Sequence, residues 1–265
     1  VTELETVLLE VSNGVAWVTL NRPEVYNAFN QTMQHELRGL WRRFRTDDDV
    51  RCVVLTGAGD KAFCTGIDRS EVPSDVTEYT YDPFAYDDPG EAIGPKSNGL
   101  WKPVIAAVNG MACGGAFYML GEVEFLIAAD TATFFDPHTT FGQAAVFEPI
   151  VMGQRMPLGE IMRLSLLGSH ERMSARRAHQ IGLVSEVVPA GELHDAARWA
   201  AEAIASQPTR AVQGTVRSIW TTREMSSLQS VAMGPFLLEA GNTAEGLAEG
   251  QASFASGTRI TPRIR

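Results

Sequence analysis

The chain has 265 residues, 45% of them hydrophobic, enough to bury a large core as one domain or one domain plus a small appendage. Its 22 Lys and Arg against 32 Asp and Glu give a net charge of -10, which disfavours an electrostatic grip on nucleic acid or on an anionic membrane. One local basic patch for an anionic small ligand stays compatible with that balance. Cys52, Cys64 and Cys113 are odd in number and lack C-x-x-C spacing, as expected of reduced thiols packed as small apolar groups in a cytoplasmic protein. No basic-plus-apolar run opens the chain and no apolar stretch is long enough to span a bilayer, so a soluble intracellular protein is expected.

Residues 7–11 and 15–20 are apolar runs joined at Asn13-Gly14, the strongest short hairpin signal. A helix is predicted from about Asn30, with Met33, Leu37, Leu40, Trp41 and Phe44 on one face. Asp47-Asp48-Asp49 marks a solvated turn, and residues 52–56 read as a buried strand ending at Gly57-Ala58-Gly59. Residues 71–96 carry four prolines and the aromatics Tyr79, Tyr81, Phe84 and Tyr86 among acids, without helical or strand period. They read as a long loop of the kind that forms lids or binding loops.

A second buried strand at 104–108 breaks at Asn109-Gly110 and runs into Gly114-Gly115, which opens a helix. Such a helix start offers unpaired N–H groups and the positive end of a dipole, and glycine lets a ligand come close to the backbone. Two short strands follow at 125–129 and 133–135. Ser174 caps a helix through Ile181, Gly182 stops it, and residues 183–187 read as a strand. Past a boundary near 192 the rhythm gives way to Ala-rich helices, at 193–206, 209–221 and from near 224.

Several separated motifs resemble the enoyl-CoA hydratase/isomerase (crotonase) superfamily. They are Asn21 to Ala28, Lys61-Ala62-Phe63-Cys64-Thr65-Gly66-Ile67-Asp68, Ala107-Val108-Asn109-Gly110 through Gly114-Gly115, and Ile181-Gly182-Leu183-Val184 followed by Val187-Val188-Pro189. Their order and spacing hold from about Val7 to Ser206. The resemblance implies an α/β fold, a spiral of strand-strand-helix turns (1–192), with a C-terminal helical region (193–265) used for assembly as a trimer or a dimer of trimers. It implies an acyl-CoA thioester as substrate, with coenzyme A entering as part of that substrate and no resident cofactor or metal. Backbone N–H groups of Ile67 and Gly115 would hold the thioester oxygen, and Lys61, Ala62 and Gly110 would lie along the coenzyme. Fixed donors at that oxygen favour the charged enolate over the ground state.

The chain departs from this family at the two glutamates that hold water in its hydratases. Tyr118 stands at the first place, and in Phe134-Phe135-Asp136-Pro137-His138 histidine stands at the second. Histidine exchanges protons near neutral pH, and tyrosine donates a hydrogen bond or acts as a weak acid. Glu148 would pair with His138 if the intervening segment folds back, as the third member of a triad orients its imidazole. Tyr118 equally suits the acyl pocket, and Glu148 a surface helix start. Asp68 reads as fixing the first donor's turn, Glu124 as a structural acid, and Cys113 as packing. Three functions stay open: hydration or isomerisation of an enoyl thioester, C–C cleavage of a β-keto substrate by a His138/Glu148 pair, and CoA-ester binding without chemistry.

Overall fold

The structure, a computed structural model, describes residues 4–71, 88, 90, 93–257 and 259–264. Most of the segment 71–96, and with it Tyr79, Tyr81, Phe84 and Tyr86, lies outside the described residues.

Strands β1 (Val7–Ser12) and β2 (Val15–Leu20) form the expected antiparallel hairpin, and helix α1 (Gln31–Phe44) follows, its first turn capped by the Asn30 side chain. Then come strand pairs in which the two members go to different sheets. β3 (Cys52–Gly57), β5 (Val104–Val108) and β7 (Phe125–Ala129) enter one sheet. Their followers β4 (Ala62–Cys64), β6 (Met111–Cys113) and β8 (Thr133–Phe135) enter the other. Helix α2 (Ala116–Glu122) closes the turn that starts at β5. Helices α3 (Phe147–Met152) and α4 (Leu158–Leu167) occupy a stretch with no clear sequence period, ahead of β9 (Met173–Ser174) and α5 (Ala175–Gln180). With β10 (Glu186–Val188), the larger sheet runs β1-β2-β3-β5-β7-β10 and the smaller β4-β6-β8-β9. This is the spiral of strand-strand-helix turns that the motif order implies.

Apolar residues occupy both faces of the larger sheet. Val53, Leu55, Val104, Ala106, Val108, Leu126 and Ala128 point into the main core with Leu37, Trp41, Phe44 and Phe117. Their alternates Cys52, Val54, Ile105, Ala107, Ile127 and Ala129 are covered by Ala196, Ala197, Ala200, Ala201 and Ala205 of α6 (Leu193–Ala205). Burial on both faces is why these strands read as unbroken apolar runs. The alanines of α6 leave room for its axis to lie near the strands. Thus the helix that begins just past residue 192 supplies the outer cover of the sheet, whereas α7 (Thr209–Glu224), α8 (Ser227–Gly241) and α9 (Ala244–Ala255) pack on one another.

Two sequence boundaries shift. The strand expected at 183–187 forms at Glu186–Val188, because the Leu183 and Val184 amides are spent on the Ala178 carbonyl at the end of α5. The helix expected from about 224 starts at Ser227, after Ser226 and Gln229 form a reciprocal capping box, and α7 runs on to Glu224. Leu37 is fully buried under the larger sheet. Leu37→Ala should lower unfolding free energy by about 2–5 kcal/mol in urea titration; a loss within error would mean that α1 does not pack as described.

Candidate active site

The motif at residues 21–28 works by fixing the loop after β4. Asn27, fully buried, donates from Nδ2 to the carbonyls of Ala58 (2.9 Å) and Ala62 (2.8 Å), and its Oδ1 accepts from Arg22 N. Arg22 reaches Ala28 O with one guanidinium nitrogen (2.8 Å) and Asp68 with another (2.8 Å). The Asp68 carboxylate also accepts from the Ser70 hydroxyl and amide, and these bonds, the hydroxyl's foremost, hold it below the usual carboxylate range. Asp68 therefore fixes the turn that carries Ile67. Asn109 does the same work for the second motif, accepting from Gly57 N and donating to Gly59 O and Ala62 O.

What these clamps position is Ile67. Phe29 N donates to Gly66 O and Asp68 N donates to Phe29 O, both at 2.8 Å, so the intervening Ile67 amide is turned to the opposite side. A methyl group on Gly66, at φ +90°, would lie 2.9 Å from Gly115 N; one on Gly115 would lie 2.6 Å from the Phe29 ring. The two backbones therefore meet at glycines that no other residue replaces without a shift. Among the described residues neither the Ile67 nor the Gly115 amide has a backbone acceptor. Lys61, Ala62 and Gly110 also converge, since Met111 N bonds Lys61 O at 3.0 Å and brings Gly110 against that carbonyl. The Lys61 side chain is exposed and Ala62 is buried.

His138 stands beside this meeting point. A methyl on Gly114 would lie 3.7 Å from its Cε1. The ring is held from both sides: Nδ1 is 2.5 Å from Asp136 Oδ1, and Nε2 is 3.5 Å from Glu148 Oε1. The second distance is too long for a good hydrogen bond, so Nε2 and Glu148 face a shared space. Asp136 also accepts from the His138 amide at 3.2 Å. The bond from Asp136 raises the imidazole pKa above its ordinary value, with Glu148 adding to the effect, while burial and Arg69 oppose it. Burial raises Glu148 above the usual carboxylate range against the pull of His138. Glu148 opens α3, as one sequence reading had it, but it is 6% exposed and turned inward rather than to the surface.

Tyr118 donates its hydroxyl to Asp88 Oδ2 at 3.0 Å, and its ring packs against Gly90. Burial pushes the Cys113 thiol up to about 12, as befits a packing residue. Glu124 accepts from Val104 N, Lys96 and Trp220, tying β5 to α7. The sequence reading missed Asp136 and Asp88. Asp136 had a local signal, since an Asp two residues before a backbone N–H folds readily into an Asx turn. Asp88 had none, because its partner Tyr118 is thirty positions away.

The family model for enoyl-CoA hydratase/isomerase matches residues 10–256. The chain belongs to that family. It is 36% identical over 260 residues to (E)-benzylidenesuccinyl-CoA hydratase of Thauera aromatica, covering 98% of both chains. To 1,2-epoxyphenylacetyl-CoA isomerase of Escherichia coli it is 33% identical over 243 residues, 86% of each. An enoyl-CoA hydratase/isomerase structure from Mycobacterium paratuberculosis superposes with a TM-score of 0.88 at 33% identity, covering 99% of this chain and 100% of that one. The protein is thus an acyl-CoA enzyme of the hydratase/isomerase type. Among the described residues no helix is long and apolar enough to cross a membrane.

The Asp136–His138 contact makes a prediction independent of any reaction. Asp136→Asn removes the charge that raises the imidazole, so the His138 pKa followed by NMR should fall. An unchanged titration would mean that the pair does not form in solution.

Proposed function

We propose that this enzyme adds water across the double bond of an α,β-unsaturated acyl-CoA thioester, with His138 as general base. The observation that carries the reading is the His138 ring, held by Asp136 at 2.5 Å and set beside Gly114, one residue before a backbone amide that has no backbone acceptor of its own. In this reading the thioester oxygen accepts from Ile67 N–H and Gly115 N–H. Asp136 accepts a hydrogen bond from Nδ1–H and so leaves the Nε2 lone pair facing the reacting water. Nε2 takes one proton from that water as its oxygen bonds to the β-carbon. The electron pair of the double bond moves to the thioester oxygen as an enolate, which the two amides stabilise. The imidazolium, steadied by Asp136 and Glu148, then returns the proton to the α-carbon, so that one water is consumed and nothing else is released.

Tyr118, bonded to Asp88, bounds the acyl side of the site in this reading, and Lys61, Ala62 and Gly110 border the coenzyme portion. Coenzyme A comes and goes with the substrate. Leu228, Val231, Phe236 and Leu238 leave α8 with a broad exposed apolar surface, which supports assembly through the C-terminal helices as a trimer or dimer of trimers. Three buried cysteines without disulfides suit a cytoplasmic setting.

A second reaction is supported by the approach of Glu148 to the His138 ring, the pair expected for it. A histidine backed by a carboxylate can equally activate water against a ketone carbonyl, with the departing enolate on the same two amides, which is C–C cleavage of a β-keto substrate. The two relatives above bear names of aryl CoA thioesters, so cinnamoyl-CoA belongs beside crotonyl-CoA in the test.

Loss of the enoyl-thioester absorbance with either compound is expected, and His138→Ala should lower kcat by about 100-fold or more while the ester still binds. Because the base form of His138 is required and its pKa is raised, kcat/KM should climb with pH along a limb above the ordinary imidazole value of about 6.5. A flat profile, or faster consumption of a β-keto thioester, would overturn the hydratase reading. Gly66→Ala crowds the Gly115 amide and should cost about 100- to 1,000-fold in kcat, the usual loss of one oxyanion donor; near-normal turnover would show that these amides do not hold the oxygen.

A further inference from the structure

The two acids that flank His138 also line a small cavity. It is lined by Asp136 and Glu148, the two acids on either side of the ring, by Ser165 of α4, and otherwise by apolar groups including Phe117, Met152 and Leu164. It leaves about 10 Å³ for the centre of a water-sized sphere, close to the least that one ordered water requires. Two of its lining residues each carry a buried polar atom without a protein partner, Asp136 Oδ2 and Ser165 Oγ. Asp136 is 1% exposed and Ser165 is 9% exposed. A buried carboxylate oxygen and a buried hydroxyl with no partner each carry a desolvation cost, and one shared water removes both. Ser165 is also tied to the histidine's own segment, because its carbonyl accepts from Thr139 Oγ1 at 2.8 Å.

We propose that this cavity is a binding site for one water molecule, held by Asp136 Oδ2 and Ser165 Oγ, and that Ser165 is a positioning residue that acts on His138 through that water and Asp136. The water donates one proton to Asp136 Oδ2 and its other to Glu148 or to the hydroxyl. With Oδ2 so engaged, the carboxylate cannot rotate away from the ring, and Oδ1 stays aimed at Nδ1. The water also shares the negative charge of Asp136, which would otherwise fall more fully on the imidazolium. Other charges act on the ring as well: Glu148 from α3 and Arg69 from the segment after Asp68. Asp88 acts in turn on Glu148. Ser165→Ala leaves all of these in place, so a change in the ring's titration isolates the path through Asp136.

The kinetic part rests on His138 being the base, whereas the titration does not. Ser165→Ala and Ser165→Thr are compared with the parent protein in an NMR titration of His138, in the pH profile of kcat/KM on the enoyl thioester, and in a high-resolution crystal structure of the parent. Density for a water within hydrogen-bond distance of Asp136 Oδ2 and Ser165 Oγ is expected. In Ser165→Ala the His138 titration and the acid limb should both move to higher pH by several tenths of a unit. The value of kcat should fall about tenfold with KM within about twofold, and Ser165→Thr, which keeps the hydroxyl, should restore most of the loss. Should neither enoyl compound turn over while the titration still moves, the hydratase reading fails and the positioning role stands. Superimposable titrations in Ser165→Ala and the parent, or an empty or apolar-filled cavity in the crystal, would overturn the proposal. If Ser165→Ala does not fold, Thr139→Val and the crystal structure decide it: no water density, or a His138 titration that follows Thr139 alone, overturns it.

Discussion

The structure turns on a place where two backbones touch. Gly66 follows β4 and Gly115 precedes α2, and a side-chain carbon on either would be driven into the other segment or into Phe29. Neither β4 nor β6, at three residues each, is long enough to fix such an approach alone. The fixing comes from Asn27 and Asn109, which reach from two separate turns and both donate to the Ala62 carbonyl, and from the Arg22–Asp68 pair beside them. These are buried or half-buried polar groups with their bonding capacity filled, and such networks rigidify a site rather than merely stabilise a fold. The motifs that mark the family in sequence are therefore largely the scaffolding of two amides.

Next to those amides the chain gathers charge that it can hold only in combination. Asp136 and Glu148 are buried in a protein of net charge -10, and each would be costly as an isolated anion. The histidine between them changes that balance. Asp136 is close enough to bond the ring, and the bond outweighs the loss of solvent at His138; Glu148 is farther, and for it the loss of solvent wins. The outcome is an imidazole whose affinity for a proton is increased, beside a carboxyl that gives up its proton less readily than usual.

Tyr118 and His138, where the sequence departs from the motifs it resembles, are both engaged by acids. The hydroxyl of Tyr118 is engaged by Asp88, and the imidazole of His138 by Asp136, so each side chain has its own carboxylate.

The sequence by itself determined the alternation of strands and helices and the buried apolar strands of the larger sheet. These follow from local grammar: unbroken apolar runs, Asn-Gly and Gly-Gly breaks, a helical period through Met33, Leu37, Leu40, Trp41 and Phe44. It also singled out His138, because the motif around it is contiguous. Helices α3 and α4 escaped, since their apolar residues are divided between the core and exposed positions such as Ile150, Leu158 and Leu166 and give no single face. Only the tertiary structure decided the partners of the site. Glu148 comes to 3.5 Å from Nε2 after α3 folds back, Asp88 meets Tyr118 across thirty residues, and Ser165 of α4 lines the same cavity as Asp136. Hydrogen bonds between groups distant in sequence leave no periodicity to read, because packing rather than propensity brings them together.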